Sequence, residues 1–504
     1  MKQILLFGAG KSSTALITYL LVNASAENWE LTIADANEQA IREKIGDSTH
    51  AKPAAIDITN EEKRKALVQA SDIVISLLPP ALHILVANDC LQYRKNLLTA
   101  SYVDAQIQAL KEEIEKQGLL FLCEMGLDPG IDHMSAKSLI DKIHREGGVI
   151  DSFQSHCGGL VAPESDDNPW HYKISWNPRN VVLAGKAGAL FKQGGDVVEL
   201  NYEQLFEQRR YVAIPGFDVF CWYPNRDSLS YIPKYGLTET ATFIRTTLRH
   251  PDFVYGWKNL IELKLTDEAK QYETGGKNLL QFFKEHLALH GFGAWLEKKL
   301  HDQFDSTKSL LSELVTLVKL EEEAADKGID PVDEFLMVDD KGDLQNIDID
   351  NLKISAAATL ADRMHDANLT LKQLFYLGMD DENTVIDKGL CSAADVLQFA
   401  LEKKLMLQPT DQDLVVMLHE IEYHLNGSKL KTTSTLVLKG EDAVHTAMAK
   451  TVGLPLAVAA KLILNGTLTC KGLQIPVNRD IYEPVLRELE ENGISFAEET
   501  MEVT

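Results

Sequence analysis

Ile4-Leu5-Leu6-Phe7-Gly8-Ala9-Gly10-Lys11-Ser12-Ser13 runs four apolar residues into two glycines spaced G-x-G, and Thr14 to Leu21 continues with a helical pattern. Strand, tight turn and helix in that order open a dinucleotide-binding βαβ unit. In this reading Gly8 permits the turn and Gly10 lets the backbone approach a pyrophosphate. The phosphates rest on the amides at the helix N-terminus, which carries partial positive charge. Position six of the G-x-G-x-x-G pattern is Ser13, small enough for close helix–strand packing. Gly10-Lys11-Ser12 also suggests a Walker A loop, but that loop needs a glycine where Leu5 stands. A second predicted strand, Trp29 to Ala34, ends in Asp35, about where a ribose-binding acid follows the glycines. A carboxylate there accepts from both ribose hydroxyls and repels a 2′-phosphate. The expected cofactor is therefore NAD, with NADP the alternative.

At 504 residues the chain exceeds what one core usually supports, so two or three domains are expected. Its apolar share of 45% and charged share of 25% are those of a soluble globular protein. No apolar run approaches the length of a membrane span, and the N-terminus opens on a strand rather than a leader. Six cysteines lie scattered with no C-x-x-C, which suits reduced thiols and a cytoplasmic location. The net charge of −25 argues against a nucleic-acid partner. Glu321 to Asp350 holds twelve acids against Lys327 and Lys341, a net −10, and reads as a solvated acidic insertion. Asp339 to Asp343 resembles the start of a calcium loop, but Leu344 occupies the position that demands glycine. No metal ligand set is read.

Past Asp35, apolar segments alternate with helical ones: strands at 51–56, 72–78, 97–100 and 119–122, helices at 61–69, 81–93 and 103–117. That alternation predicts a Rossmann-type, doubly wound parallel sheet with ligands beyond the carboxyl ends of its strands. The expected fold class is α/β: this sheet, plus an α+β substrate domain carrying an all-helical insertion. The expected boundaries are a dinucleotide-binding domain over 1–125, completed by about 440–475. A substrate domain follows over 126–256 and 406–439, and the insertion over 257–405. Within the insertion, helices are predicted over 257–265, 279–300, 308–325, 352–364, 371–377 and 393–404. From Cys123 to Arg249 the loops are dense in arginine, hydroxyl and carboxylate groups, suited to a zwitterionic substrate.

Several peptides in this order are characteristic. They are Ile-Ser-Leu-Leu-Pro at 75–79, Thr-Ala-Ser-Tyr at 99–102, Glu-Met-Gly-Leu-Asp-Pro-Gly-Ile-Asp-His at 124–133 and Cys-Gly-Gly-Leu at 157–160. Ala-Pro-Glu-Ser at 162–165, Asp-Asn-Pro at 167–169, Lys-Ile-Ser-Trp at 173–176, Tyr-Pro-Asn-Arg-Asp-Ser at 223–228 and Thr-Leu-Arg at 247–249 continue the series. With Ala447 to Pro455 they resemble the saccharopine dehydrogenase family, in its glutamate-forming branch. The resemblance covers residues 1 to about 260 and about 430 to 500, and is poor between about 265 and 400. It implies oxidation of saccharopine to glutamate and 2-aminoadipate 6-semialdehyde, or the reverse condensation, in lysine metabolism.

The resemblance also implies roles. Arg226 and Thr247-Leu248-Arg249 should hold substrate carboxylates, with Ser101, Tyr102 and Asp128 also on substrate. Gly10, Lys11, Ser12, Asp35, Asp57, Ile58, Leu78, Ala100, Leu127, Asp128 and Ser175 should contact the cofactor, beside Gly8 from the turn itself. Tyr102, Asp128 and Cys157 are the candidates for proton transfer; His133 and His171 are expected to be structural. Fungal members of the branch, which prefer NADP, end the second strand without an acid, so Asp35 again favours NAD. Motifs of the lysine-forming branch are absent. The rival readings are an opine or polyamine-conjugate dehydrogenase with another amine, and a non-catalytic dinucleotide-binding regulator. A homodimer is expected on general grounds.

Overall fold

Strand β1, Lys2–Phe7, is buried on both faces: Ile4 and Leu6 enter one apolar cluster, Leu5 and Phe7 the other. Successive strand side chains point to opposite faces, so an uninterrupted apolar run is what a sheet covered on both sides requires. The molecule is a computed structural model that describes residues 1–301, 334–338, 344–348, 365–366 and 368–503. Around β1 lie β2 (Trp29–Asp35), β3 (Ala51–Ala55), β4 (Ile73–Ser76), β5 (Asn96–Thr99) and β6 (Leu120–Leu122). All pair in parallel in the order β6-β5-β4-β1-β2-β3, and Gly472–Gln474 adds a seventh strand beside β6. This is the doubly wound order, with its crevice where the strand order reverses between β1 and β4.

A second, mixed sheet of ten strands is centred on Val149–Val161, which pairs in parallel with Thr242–Arg249 and antiparallel with Asp413–Leu425. Both sheets belong to one compact unit, Met1–Asp167, His171–Val254 and Leu405–Thr504. The helix Ala447–Leu464 is long and apolar enough to cross a membrane by length and composition, which corrects the expectation that no such run exists. Most of it is buried, however, and it serves as a core helix. Asp413 caps its N-terminus, accepting from the Ala447 and Met448 amides at 2.6 and 2.9 Å. A Cβ on Gly453 would stand 2.9 Å from Leu16 N and 3.0 Å from Ser12 O, so this helix lies against the start of helix Thr14–Glu27.

A second compact unit comprises Asn168–Trp170 with Tyr255–Lys404. Its helices include Leu279–Leu289 and Ala393–Lys404, but the expectation of an all-helical insertion is corrected by two strand pairs. Lys270–Glu273 pairs with Leu390–Ser392, and Glu334–Val338 with Leu344–Asp348. In the first pair Tyr272 is the one buried residue of four, too short a segment for any period to be legible. Its hydroxyl bonds His286 Nδ1 at 2.7 Å. The helices expected over 308–325 and 352–364, and the calcium-like Asp339 to Asp343, lie outside the described residues.

At the edge of the first unit, His171 sits at φ +47° with Nδ1 2.6 Å from Asp166 Oδ2 and Nε2 3.4 Å from Asp252 Oδ2. These two carboxylates, by hydrogen bonding, raise its pKa to about 9, while burial lowers stacked His250 to about 4. His171, His250 and Asp252 are the one trio among the described residues whose ligand atoms lie near enough together to be considered for a metal ion. The two rings stack 3.9 Å apart at 28°, so their in-plane lone pairs run side by side rather than converging on one ion. The arrangement is an imidazolium between two carboxylates.

Two measurements follow from this packing. Gly453→Val places side-chain atoms against backbone, and should lower stability by about 1–3 kcal/mol in denaturant titration and weaken nucleotide binding with it. His171 has a raised folded pKa, so its contribution is fully present below about pH 6.5 and is lost as pH rises through about 9. The stability difference between wild type and His171→Gly should therefore shrink across that window; a constant difference would remove the imidazolium.

Candidate active site

Gly8 turns the chain out of β1 at φ +102°, where a Cβ would stand 2.9 Å from Leu77 O at the end of the neighbouring strand. Gly10 is exposed, with no heavy atom within 4 Å of where its Cβ would stand. A short 3₁₀ turn, Lys11–Ser13, then feeds the helix Thr14–Glu27. Open space over Gly10 and a helix N-terminus beyond it fit a dinucleotide pyrophosphate. Lys11 Nζ lies 3.9 Å from Met406 Sδ, and Met406 bridges to Ile174. Ser175 is buried and bonds Asp413, so its hydroxyl serves the cap of Ala447–Leu464.

Asp35 stands at the end of β2 as expected, but its carboxylate is already engaged. Oδ2 accepts from Ala9 N at 2.7 Å and Oδ1 from Asn37 N at 2.9 Å. It braces the glycine turn from the adjacent strand. Lys44 approaches from helix Glu38–Ile45, donating to Ser13 Oγ at 3.0 Å and Thr14 Oγ1 at 2.9 Å. Burial lowers the Lys44 pKa to about 8, opposed by Asp35. Asp57 is exposed and caps the turn ahead of helix Glu61–Ala70, accepting from Thr59 N and Oγ1 at 2.8 and 2.7 Å. Ile58, Leu78 and Ala100 are half-buried beyond the ends of the strands, and Leu127 is buried.

The segments after β5 and β6 are laced together: Glu124 N donates to Ser101 O and Met125 N to Thr99 O, both at 3.1 Å. Ser101 Oγ lies 2.8 Å from His83 Nε2, whose Nδ1 lies 2.8 Å from Ser76 Oγ. Burial holds His83 down at about 4, so it is a neutral link that orients Ser101. Tyr102 donates to Asp128 Oδ1 at 2.8 Å, and Asn225 Nδ2 reaches Asp128 Oδ2 at 3.4 Å. Burial raises the Asp128 pKa, opposed by Arg245, so the carboxyl takes up a proton more readily than a free one. Burial pushes the Tyr102 hydroxyl well up, so it is a donor.

Arg226, at φ +51° and exposed, places its guanidinium 5.3 Å from the Tyr102 ring centroid. Arg249 is buried between Tyr172 and Phe253, at 5.2 and 5.5 Å from their rings. Its Nη1 donates to Leu248 O at 2.7 Å, and its buried Nε has no hydrogen-bond partner among the described residues. Thr247 is half-buried. The expectation that Leu248 meets substrate is corrected for its side chain, which enters the apolar cluster with Leu160 and Val416 on the opposite face. Cys157 is likewise buried among apolar side chains, and burial pushes its thiol well up, so it is no general base.

Sequence reasoning missed a buried polar cluster beside Tyr102 and Asp128. Arg245 Nη2 donates to Asp128 Oδ1 and Asp132 Oδ2, both at 2.7 Å, and to Tyr102 Oη at 3.2 Å. His133, expected to be structural, bridges Glu124 Oε2 at 2.9 Å and Tyr235 Oη at 2.7 Å; Tyr231 donates to Glu124 Oε2 at 3.0 Å. Burial raises the Glu124 carboxyl, but His133 and the hydrogen bonds bring it below its ordinary value. One signal was available: Arg245, Thr247 and Arg249 are spaced by two on one strand and so share a face.

Comparison with known proteins identifies the family. The family model described as the saccharopine dehydrogenase NADP binding domain matches residues 4–122, and the saccharopine dehydrogenase C-terminal domain matches residues 126–494. The NADP(+), L-glutamate-forming saccharopine dehydrogenase of Saccharomyces cerevisiae is 31% identical over 99% of both chains, and that of Schizosaccharomyces pombe 30% over 100% of both. An alpha-aminoadipic semialdehyde synthase of Arabidopsis thaliana is 32% identical over 98% of this chain, which spans only 44% of that relative's length. A solved apo saccharopine dehydrogenase (L-Glu forming) from Saccharomyces cerevisiae superposes with a TM-score of 0.76 at 27% identity, covering 99% of this chain and 100% of that one. The likeness thus runs through the middle of the chain, where the motifs alone were poor. The preference for NAD read from Asp35 conflicts with the NADP(+) relatives, and the two amides on its carboxylate give that acid a different employment. The chain belongs to the saccharopine dehydrogenase family.

Proposed function

We propose that the protein is a glutamate-forming saccharopine dehydrogenase acting with a nicotinamide dinucleotide, NADP in preference to NAD. The observation that carries the reaction is Asp128: a half-buried carboxyl with Tyr102 and Arg245 on one oxygen and, among the described residues, only a long contact from Asn225 on the other. The cofactor, when bound, supplies the hydride acceptor. The chain's own residues supply orientation and proton transfer. Arg226 and Arg249 are cations for substrate carboxylates, which guanidinium forks bind in pairs of hydrogen bonds. Asp128 takes the proton released as water adds to the carbon–nitrogen double bond, and returns one to the departing amine of glutamate. Tyr102 stays protonated and donates to Asp128, fixing its direction. Cys157, a buried thiol, shapes the wall of the site.

The cofactor reading rests on the relatives' NADP(+) and on Asp35 serving the turn. If Asp35 is a brace, Asp35→Ala should weaken binding of NAD and NADP by similar factors, measured by nucleotide fluorescence titration. Selective loss of NAD, or a gain in NADP, would show instead that the carboxylate faces the ribose.

Turnover tests the reaction. Purified protein with saccharopine and NADP+ or NAD+ should raise absorbance at the reduced-nicotinamide band, with glutamate among the products. Lysine in place of glutamate would assign the other branch; no rise with either cofactor, despite nucleotide binding, would favour another amine or a regulator. Asp128→Asn should lower kcat by roughly 10²–10⁴-fold while nucleotide affinity is kept.

A further inference from the structure

Arg245 is 2% exposed, in the interior of strand Thr242–Arg249. A buried guanidinium carries five N–H donors, and each one left without a partner is costly. This one concentrates Nη2 on three oxygens, those of Asp128, Asp132 and Tyr102. Its buried Nη1 has no hydrogen-bond partner among the described residues. The guanidinium also lies over the Tyr231 ring, 4.6 Å from its centroid, which keeps it in place without drawing on its hydrogens.

The two carboxylates it shares are not equivalent. Asp132, 2% exposed, spends its other oxygen on Gly130 N at 2.6 Å and is anchored at the start of helix Ile131–Arg145. Asp128 is 14% exposed, and both strong contacts, from Arg245 and Tyr102, fall on Oδ1. Oδ2 is left with the 3.4 Å contact to Asn225. One oxygen is clamped and the other is available.

We propose, on the reading that this site oxidises saccharopine, that Arg245 is a positioning residue. It holds Asp128 Oδ1 together with the Tyr102 hydroxyl so that Oδ2 is presented to the reacting nitrogen and water. Asp132 is the fixed counter-charge that keeps the guanidinium in place. The ionisable groups facing Asp128 are Arg245 on its strand, Asp132 and His133 on the helix, Tyr102 after β5, and Cys157 on Val149–Val161. Of these Arg245 opposes the burial of the charge most, and Asp132 works against it.

The test is the pH profile of kcat at saturating saccharopine, with nucleotide affinity as the check on folding. Arg245→Met should lower kcat by about 10²-fold or more and move the acidic limb upward by about one to three pH units. Asp132→Asn should move the same limb downward, because it removes a like charge and leaves Arg245 to Asp128. Arg245→Lys keeps the charge, but its shorter side chain draws the donor back from Asp128 Oδ1 and Tyr102, so the limb should stay near wild type while kcat falls about tenfold. If Arg245→Met does not fold, the other two carry the test. A wild-type rate in Arg245→Lys, or a limb unmoved in Asp132→Asn, would overturn the proposal. The Asp128 carboxyl stretch, identified in infrared spectra by its loss in Asp128→Asn, should titrate in the same directions without any turnover. A silent wild type would therefore sink the reaction while leaving the clamp to be judged on that band.

Discussion

Burial of β1 on both faces is the constraint on which the rest of the structure depends. A strand with apolar clusters on either side leaves no lateral exit for polar chemistry, so functional groups must emerge where the strands end. The turn at Gly8, the brace from Asp35, the segment Ser101-Tyr102 and the run Glu124 to Asp132 all lie beyond carboxyl ends of the same sheet. The order of strands then sets which of them are neighbours. β5 and β6 are adjacent, and so Tyr102 and Asp128, 26 residues apart in the chain, share a hydrogen bond.

The second sheet adds what the first cannot. It contributes Arg245 and Arg249 from one face of a single strand, and Arg226 from a short strand nearby. Burying a guanidinium is costly unless its charge is paired, and Asp128 and Asp132 supply that pairing for Arg245. Stability and reactivity are coupled here. The same cation that offsets the two acids also decides which oxygen of Asp128 is held and which keeps only the long contact to Asn225 among the described residues.

Much of the cradle was legible along the chain, because it is local. The apolar run, the two glycines and the next strand's acid lie within the first 35 residues, and each has a mechanism that depends on near neighbours. Where legibility failed, the causes were specific. Asp35 is at the expected position, but whether its oxygens face a ribose or an amide depends on how close β2 brings it to Ala9. Leu248 fell in a run of matching residues, yet the period of two turns it away from Thr247 and into the core. Tyr272 and its partner strand are separated by more than a hundred residues, so no local pattern marked them as paired.

The amino-acid sequence by itself determined the parallel sheet, the dinucleotide turn and the family, since apolar periodicity, glycine spacing and motif order are properties of contiguous residues. Only the tertiary structure decided the chemistry of Asp128. Its protonation and direction come from Arg245, 117 residues away, and from burial, which no stretch of sequence displays. Charges interact through space and in proportion to how little water lies between them, so the site's acid and base are properties of the packed molecule.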